Sequence, residues 1–203
     1  MIIHTTISGF TQDHGSWHGV LELTEKLREK HCEGVRSRVH YYRWDENWAA
    51  IAEYYWSLSE KYHTQPLIAI YAYSWGAGHG AMRLTEQLRK RGLRVRLMVL
   101  ADPVYRNVWC LWRSMRNWNL PWFGEPIIRV PDYVDEVFSF HQVQNRPSGH
   151  KLLPESRTGG PTIHPPVLLT ANHQYMDNAG EFHAKCLEQA SRLCREARTK
   201  EIK

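Results

Sequence analysis

The residues best placed to do chemistry lie in one stretch, Leu67 to Met82, which reads LIAIYAYSWGAGHGAM. An apolar, β-rich run from Leu67 to Tyr73 meets Ser74, and the chain then changes to small residues and a helical pattern. Ala72-Tyr73-Ser74-Trp75-Gly76 has the form of a strand–nucleophile–helix elbow. In such an elbow the serine sits on a turn so tight that the residues two before and two after it must be small. Ala72 and Gly76 meet that demand, and Ala77 and Gly78 keep the helix start slim. The turn lifts the Ser74 hydroxyl clear of the sheet edge and brings the N–H groups of the first helical turn near any negative charge that develops there. The same residues also suit a plainer reading, a strand that ends at a serine helix cap with glycines for close packing. Which reading holds depends on whether the rest of the chain supplies partners for the serine.

A serine hydroxyl is a poor nucleophile at neutral pH and needs a base within hydrogen-bond reach, with a carboxylate to orient that base. Twelve histidines compete for the role. His173 follows the last expected strand, where a loop can return it over Ser74. His164 precedes that strand between prolines, and His79 lies one helical turn beyond Ser74, pointing along the helix rather than at the nucleophile. For the acid, Asp102 ends the strand after the elbow helix and so belongs beside Ser74. Its alternatives are Asp132, Asp135 at the start of a strand and hence at the opposite edge, and Asp177, which can cap the last helix. The predicted catalytic set is Ser74, Asp102 and His173.

These residues need a scaffold, and the pattern supplies one. Ile2–Ile7 reads as a strand closed by Ser8-Gly9-Phe10. A helix begins near Trp17 and is stopped by Gly34, and a strand follows over Val35–Trp44. Asn47–His63 is helical with Trp48, Ile51, Ala52, Tyr55 and Leu58 on one face. The elbow strand and its helix come next, with Gly92 as the stop, and Val95–Ala101 is a nearly unbroken apolar run of the kind a central parallel strand shows. Val134–His141 and Val167–Thr170 read as later strands, Gln144–Thr162 as a polar loop, and Ala179–Arg198 as a closing helix. Strand alternating with helix predicts an α/β fold, a three-layer sandwich around a mainly parallel central sheet. Ligands of such sheets bind beyond the carboxyl ends of the strands. Ser8-Gly9-Phe10, Ser74 and Asp102 all fall at such ends, so the fold itself gathers them on one rim.

At 203 residues, 42% apolar and 23% charged, the chain suits one globular domain spanning 1–203. No apolar run approaches the roughly 18–20 residues of a membrane span, and the start MIIHTTISGF reads as a strand rather than a signal peptide. The four cysteines lack C-x-x-C spacing, so free thiols and a cytoplasmic location are expected. The formal charge of +5 is spread over helix surfaces rather than gathered in one block, which argues against nucleic acid as a partner. The histidines and cysteines show no metal-ligand spacing, and the glycines after Ser74 lack the acidic partner of a dinucleotide site. Neither a metal nor a cofactor is expected.

The order Ser74, Asp102, His173 is the Ser–acid–His order of the α/β-hydrolases. With the Ile7-Ser8-Gly9-Phe10 loop, the elbow, and a histidine before the last helix, the chain resembles a compact α/β-hydrolase of the lipase and esterase type over nearly its full length. Three features depart from that pattern: Ala72 replaces the first elbow glycine, Ser8 stands where many relatives carry histidine, and the acid follows the strand directly after the elbow helix. The resemblance implies an oxyanion hole formed by the backbone N–H groups of Phe10 and Trp75. It also implies a serine hydrolase acting on a carboxylic ester or thioester through an acyl-enzyme.

Nine tryptophans gather mainly in Trp44–Trp56 and Trp109–Trp122. The second group belongs to an aromatic-rich insertion after the strand ending at Asp102, spanning 105–131, read as a lid or specificity segment. Trp109, Trp112 and Phe123 are candidates to line an acyl or aromatic pocket, and Arg106 to meet a phosphate or carboxylate. The same segment can instead pack its own small core, or lie against a lipid interface. The expected partner is a small-molecule or lipid-like ester. The alternative function class is a non-catalytic α/β-hydrolase-like module for binding or structure, because fold does not imply turnover.

Overall fold

The computed structural model of the chain describes residues 1–10, 12, 16–30, 32–104, 127–156 and 158–201. The first strand, β1 (Ile2–Ile7), is buried along its whole length although half of its residues are polar. A buried polar group must be hydrogen-bonded, and each of these is. His4 Nδ1 meets Tyr71 Oη at 3.0 Å, Thr5 Oγ1 meets Tyr55 Oη at 2.8 Å, and Thr6 Oγ1 meets Thr24 Oγ1 at 2.7 Å. The Thr5 and Thr6 bonds fix β1 to the helices on its two faces and the His4 bond ties it to Tyr71 of the neighbouring strand, as suits a central strand.

Helix α1 (Gly19–Glu29) buries Val20, Leu23 and Leu27. Strand β2 (Ser37–Tyr42) is half-buried at the sheet edge. Helix α2 (Trp48–Tyr62) starts at Asn47, whose side chain accepts from Ala50 N–H, and stops at His63 in the left-handed conformation. Strand β3 (Leu67–Tyr73) is fully buried, as the apolar run required. It passes through Ser74 into a π-helical turn (Gly76–Gly80), then α3 (Ala81–Arg89) and β4 (Val95–Ala101). Later come β5 (Ile127–Val130), β6 (Glu136–Gln142), β7 (Lys151–Pro154), β8 (Thr162–Ile163) and β9 (Val167–Leu169). A 3₁₀ turn (His173–Asn178) leads into the closing helix α4 (Gly180–Glu201).

The strands join in a seven-stranded sheet of order β2-β1-β3-β4-β6, with β8 and β9 both on the outer edge of β6. Its pairings are all parallel. One face is covered by α2 and α3 through a core that includes Tyr55, Ile70, Leu84 and Leu100. The other is covered by α1 and α4 around Leu23, Tyr71, Val99 and Phe182. This is the expected three-layer α/β sandwich around a parallel central sheet. The chain winds from β1 outward to β2 and then back across to β3, so the winding reverses between β1 and β3. In open α/β sheets ligands bind outside the strand ends at such a switch point, and here it lies between Ser8 and Ser74.

Three expectations need correction. The polar region 144–162 is not all loop: β7 pairs with β5 in a separate two-stranded parallel sheet, and β8 starts at Thr162. Alternation within four residues or fewer is too short a signal to separate such strands from loop. The helix after Trp17 ends at Glu29, several residues before Gly34. The thiols are not all free, because Cys32 and Cys194 form a disulfide with Cα atoms 5.6 Å apart. Packing of α4 beside the end of α1 brings together residues 162 positions apart, which no spacing rule registers. That bond is contrary to the expectation of free thiols. Cys186 is a buried free thiol whose pKa burial pushes well up, so it is inert. No helix among the described residues is long and apolar enough to cross a membrane.

Candidate active site

Ser74 is held at φ +53°, a left-handed conformation that side chains other than glycine seldom adopt. Strain of this kind persists only where the surrounding structure enforces it, and here the elbow does so. The helix start must lie directly under the end of β1. A Cβ on Gly76 would sit 2.4 Å from the carbonyl oxygen of Ser8 and 2.6 Å from that of Ile7, so only glycine fits. Ser74 is 5% exposed. Its carbonyl accepts from Val104 N–H at 3.1 Å, tying the elbow to the end of β4.

The predicted partners converge on it. Ser74 Oγ lies 2.8 Å from His173 Nε2, and His173 Nδ1 lies 2.5 Å from Asp102 Oδ2. Asp102 is fully buried, and the other groups facing its carboxylate are also donors. Oδ1 accepts from Gln142 N–H at 3.3 Å and from Gly149 N–H at 2.7 Å, and Oδ2 accepts from Gln142 Nε2 at 3.1 Å. A carboxylate encircled by donors only accepts, so the hydrogen of His173 sits on Nδ1. Nε2 then carries a bare lone pair toward Ser74, the tautomer in which it can take the serine proton.

His173 is fixed from two further sides. Its backbone N–H donates to Asn145 Oδ1 at 2.7 Å, and its carbonyl accepts from Tyr73 Oη at 2.8 Å. Burial, with the charges of Asp177 and Asp102, pushes the Tyr73 phenol far above its ordinary pKa, so it remains a neutral donor. Behind the acid, His141 is held below its ordinary pKa by burial, against the opposing pull of Asp102.

The side chains of the oxyanion-hole candidates Phe10 and Trp75 pack with ring centroids 4.5 Å apart, and Trp44 packs edge-on against Trp75 at 4.8 Å. The Gly9 N–H donates to Gln12 Oε1 at 3.0 Å. Trp109, Trp112, Phe123 and Arg106 lie outside the described residues, as does most of the proposed insertion. Its last part, 127–130, is β5, where Arg129 donates to the Pro154 carbonyl at 3.4 Å.

The competing residues are occupied elsewhere. His164 pairs with Glu136 at 2.8 Å, and His79 lies edge-on to Trp44. Asp132 accepts from the backbone and hydroxyl of Ser156, and Asp135 pairs with Arg94 and Arg96 at the far edge of the sheet. Asp177 does not cap the last helix. It accepts from Gly19 N–H at the start of α1 instead.

Sequence reasoning missed Gln142, Asn145 and Tyr73. For Gln142 a signal was present: it continues the inward-facing alternation Phe138, Phe140, Gln142, and a polar side chain at such a position must have buried partners. Its amide oxygen accepts from the N–H groups of Gln144 and Asn145, and its NH₂ shares two hydrogens among the Asp102 carboxylate and the carbonyls of Asn145 and Pro147.

No protein-family model matches the chain, and no curated protein is significantly similar to it in sequence. Among solved structures it is similar to RedJ, a thioesterase from the prodiginine biosynthetic pathway in Streptomyces coelicolor. The superposition has a TM-score of 0.48 at 12% identity, covering 94% of this chain and 89% of that one. A second RedJ structure, with a polyethylene glycol molecule in its active site, gives a TM-score of 0.47 at 14% identity over 96% of this chain and 89% of that one. A protein from Xanthomonas campestris pv. campestris described as a putative hydrolase of the α/β superfamily gives 0.45 at 10% identity over 93% of this chain and 99% of that one.

Proposed function

We propose that the protein is a serine hydrolase that cleaves a carboxylic ester or thioester through Ser74, His173 and Asp102. The observation that carries this reading is the unbroken hydrogen-bonded line from Ser74 Oγ through the His173 ring to Asp102, at 2.8 and 2.5 Å, in a buried site. A serine capping a helix has no use for a histidine so placed, or for a backbone held at positive φ.

In this mechanism Ser74 Oγ attacks the substrate carbonyl carbon as His173 Nε2 takes its proton, and the tetrahedral oxyanion forms between the backbone N–H groups of Phe10 and Trp75. Each such donor contributes about 3 kcal/mol of transition-state stabilisation. Collapse breaks the bond to the alcohol or thiol, which leaves with the proton from His173, and the acyl group stays on Ser74. Water then attacks the acyl carbon as His173 takes its proton, and the acid departs from a restored serine. Asp102 stays ionised throughout and stabilises the imidazolium formed in both steps. The aromatic wall of Phe10, Trp44 and Trp75 supports an apolar group on the substrate.

The test is labelling with a fluorophosphonate, read by intact mass and peptide mapping, on the wild type and on His173→Ala. One adduct on Ser74 that is lost in His173→Ala supports the hydrolase. A folded wild type that takes no adduct moves the reading to a non-catalytic module of the same fold.

A further inference from the structure

The acid rejected for the triad has a second set of partners that the catalytic mechanism leaves unused. Asp177 is completely buried on the 3₁₀ turn that begins at His173. Its Oδ2 accepts from Gly19 N–H at 2.8 Å, at the start of α1, and from Gln12 Nε2 at 2.6 Å. The approach of α1 is so close that a Cβ on Gly19 would sit 2.3 Å from the Asp177 carbonyl oxygen. Gln12 uses its other amide atom in the opposite direction, with Oε1 accepting from Gly9 N–H at 3.0 Å. Its backbone closes the same loop: Gln12 N–H donates to the Gly9 carbonyl at 3.2 Å, and Ser8 Oγ donates to the Gln12 carbonyl at 3.3 Å. Gly9 in turn rests on the nucleophile, since a Cβ there would lie 2.8 Å from the Tyr73 ring and 3.2 Å from Ser74 Cβ.

We propose that Gln12 and Asp177 are positioning residues, a latch that fixes the oxyanion loop relative to the turn carrying His173. The inference rests on the serine hydrolase reading. A donor to an oxyanion is effective only if it is already in place when charge develops, because reorganising it consumes the stabilisation it would give. The Phe10 amide is on a surface loop with no strand or helix of its own, and Phe10 is 53% exposed. Its rigidity has to come from Gly9 and the turn closed by Gln12, and the far end of the Gln12 side chain is anchored on a carboxylate that cannot move without displacing α1. Base and oxyanion donor are thereby referenced to one fixed group, Asp177. An amide is the right side chain for the link, because it must accept at one end and donate at the other.

The test uses the full chain with p-nitrophenyl acetate as substrate, a fluorophosphonate as covalent probe, and amide hydrogen exchange over residues 8–12. Gln12→Ala should lower kcat by about 10- to 100-fold, less than outright removal of an oxyanion donor, with KM within about twofold, slower labelling of Ser74 and faster exchange at residues 8–12. Gln12→Glu separates a latch from mere packing. A glutamate at that position lies against Asp177, and two carboxylates so close share a proton, so the variant donates to Asp177 only while protonated. The other titratable groups around Asp177 are His183, whose Nε2 meets the Asp177 carbonyl, Tyr73 and His173 itself, and they are the same in both proteins. Gln12→Glu should therefore show a falling alkaline limb in kcat where the wild type is level. Unchanged kcat and exchange in Gln12→Ala, or superimposable pH profiles for Gln12→Glu and wild type, would overturn the latch. A wild type that neither hydrolyses nor labels refutes the hydrolase reading instead, and the exchange measurement still judges the latch.

Discussion

The substitution that tests the site most sharply is Asp102→Asn, because the structure dictates how the amide must sit. Among the described residues the carboxylate is met by donors alone: Gln142 N–H and Gly149 N–H at Oδ1, Gln142 Nε2 and His173 Nδ1 at Oδ2. An asparagine has one accepting and one donating end, so one pair of donors must face an NH₂ group. The two backbone N–H groups cannot give way. Gln142 is also committed, because its Oε1 accepts from Gln144 N–H and Asn145 N–H and its Nε2 donates to the carbonyls of Asn145 and Pro147. The group free to yield is His173, which can move its hydrogen from Nδ1 to Nε2. It then presents N–H to Ser74 in place of a lone pair and cannot take the serine proton. The expected loss in kcat is about 10⁴-fold, as for a triad with the wrong tautomer. Replacing charge-assisted hydrogen bonds by neutral ones should also destabilise the fold by about 2–3 kcal/mol, which a domain stable by about 5–15 kcal/mol survives. The assay is steady-state hydrolysis of p-nitrophenyl acetate at 25 °C, with a urea unfolding curve for every variant. Asp132→Asn, at a half-buried carboxylate bonded to Ser156 away from the triad, should stay near the wild-type rate, and Asp177→Asn should fall between. A folded Asp102→Asn protein that keeps a tenth of wild-type kcat, or Asp132→Asn the slower of the two, would refute the argument.

Two further outcomes follow from packing and burial. Gly76→Ala should destabilise the protein by about 3 kcal/mol, the upper range for overpacking, because the added carbon lies 2.4 Å from a backbone oxygen that has no room to retreat. An unchanged urea midpoint would show that the elbow is not held as tightly as described. His4 is buried against Tyr71, and burial pulls its pKa from 6.5 to about 4, the nearby charge of Lys30 adding to the effect. The unfolded chain thus binds a proton below pH 6.5 that the folded chain refuses until about pH 4. Stability is full above 6.5, falls as the pH drops between these values and levels off below. The shift corresponds to about 3 kcal/mol. His4→Gln, which cannot titrate, should lose less stability between pH 7 and pH 4 than the wild type by roughly that amount, and parallel pH curves for the two proteins would exclude His4 as the source.

The sequence by itself determined the layers and the rim. Short β-rich or apolar runs placed β1, β3 and β4 and period-3.6 patterning placed α2, each nearly to the residue, because the three strands are buried on both faces and the helix on one. Ser74 was legible because an elbow constrains its neighbours through local sterics, and Ala72 and Gly76 each lie two residues from it in the chain. Asp102 and His173 were legible because strand ends of a parallel sheet share one rim. What lay beyond the sequence were the contacts whose partners are distant in the chain and unmarked by any period. Gln142 reaching Asp102, Asn145 reaching His173, Gln12 reaching Asp177 and the Cys32–Cys194 bond are of this kind. Asp177 shows the difference most plainly: local rules offered it as an alternative acid or as a cap for the helix that follows it, and it serves the helix that starts at Gly19. A hydrogen bond depends on atoms placed to within a few tenths of an ångström, and for groups so far apart along the chain only the packed sheet and helices supply that placement.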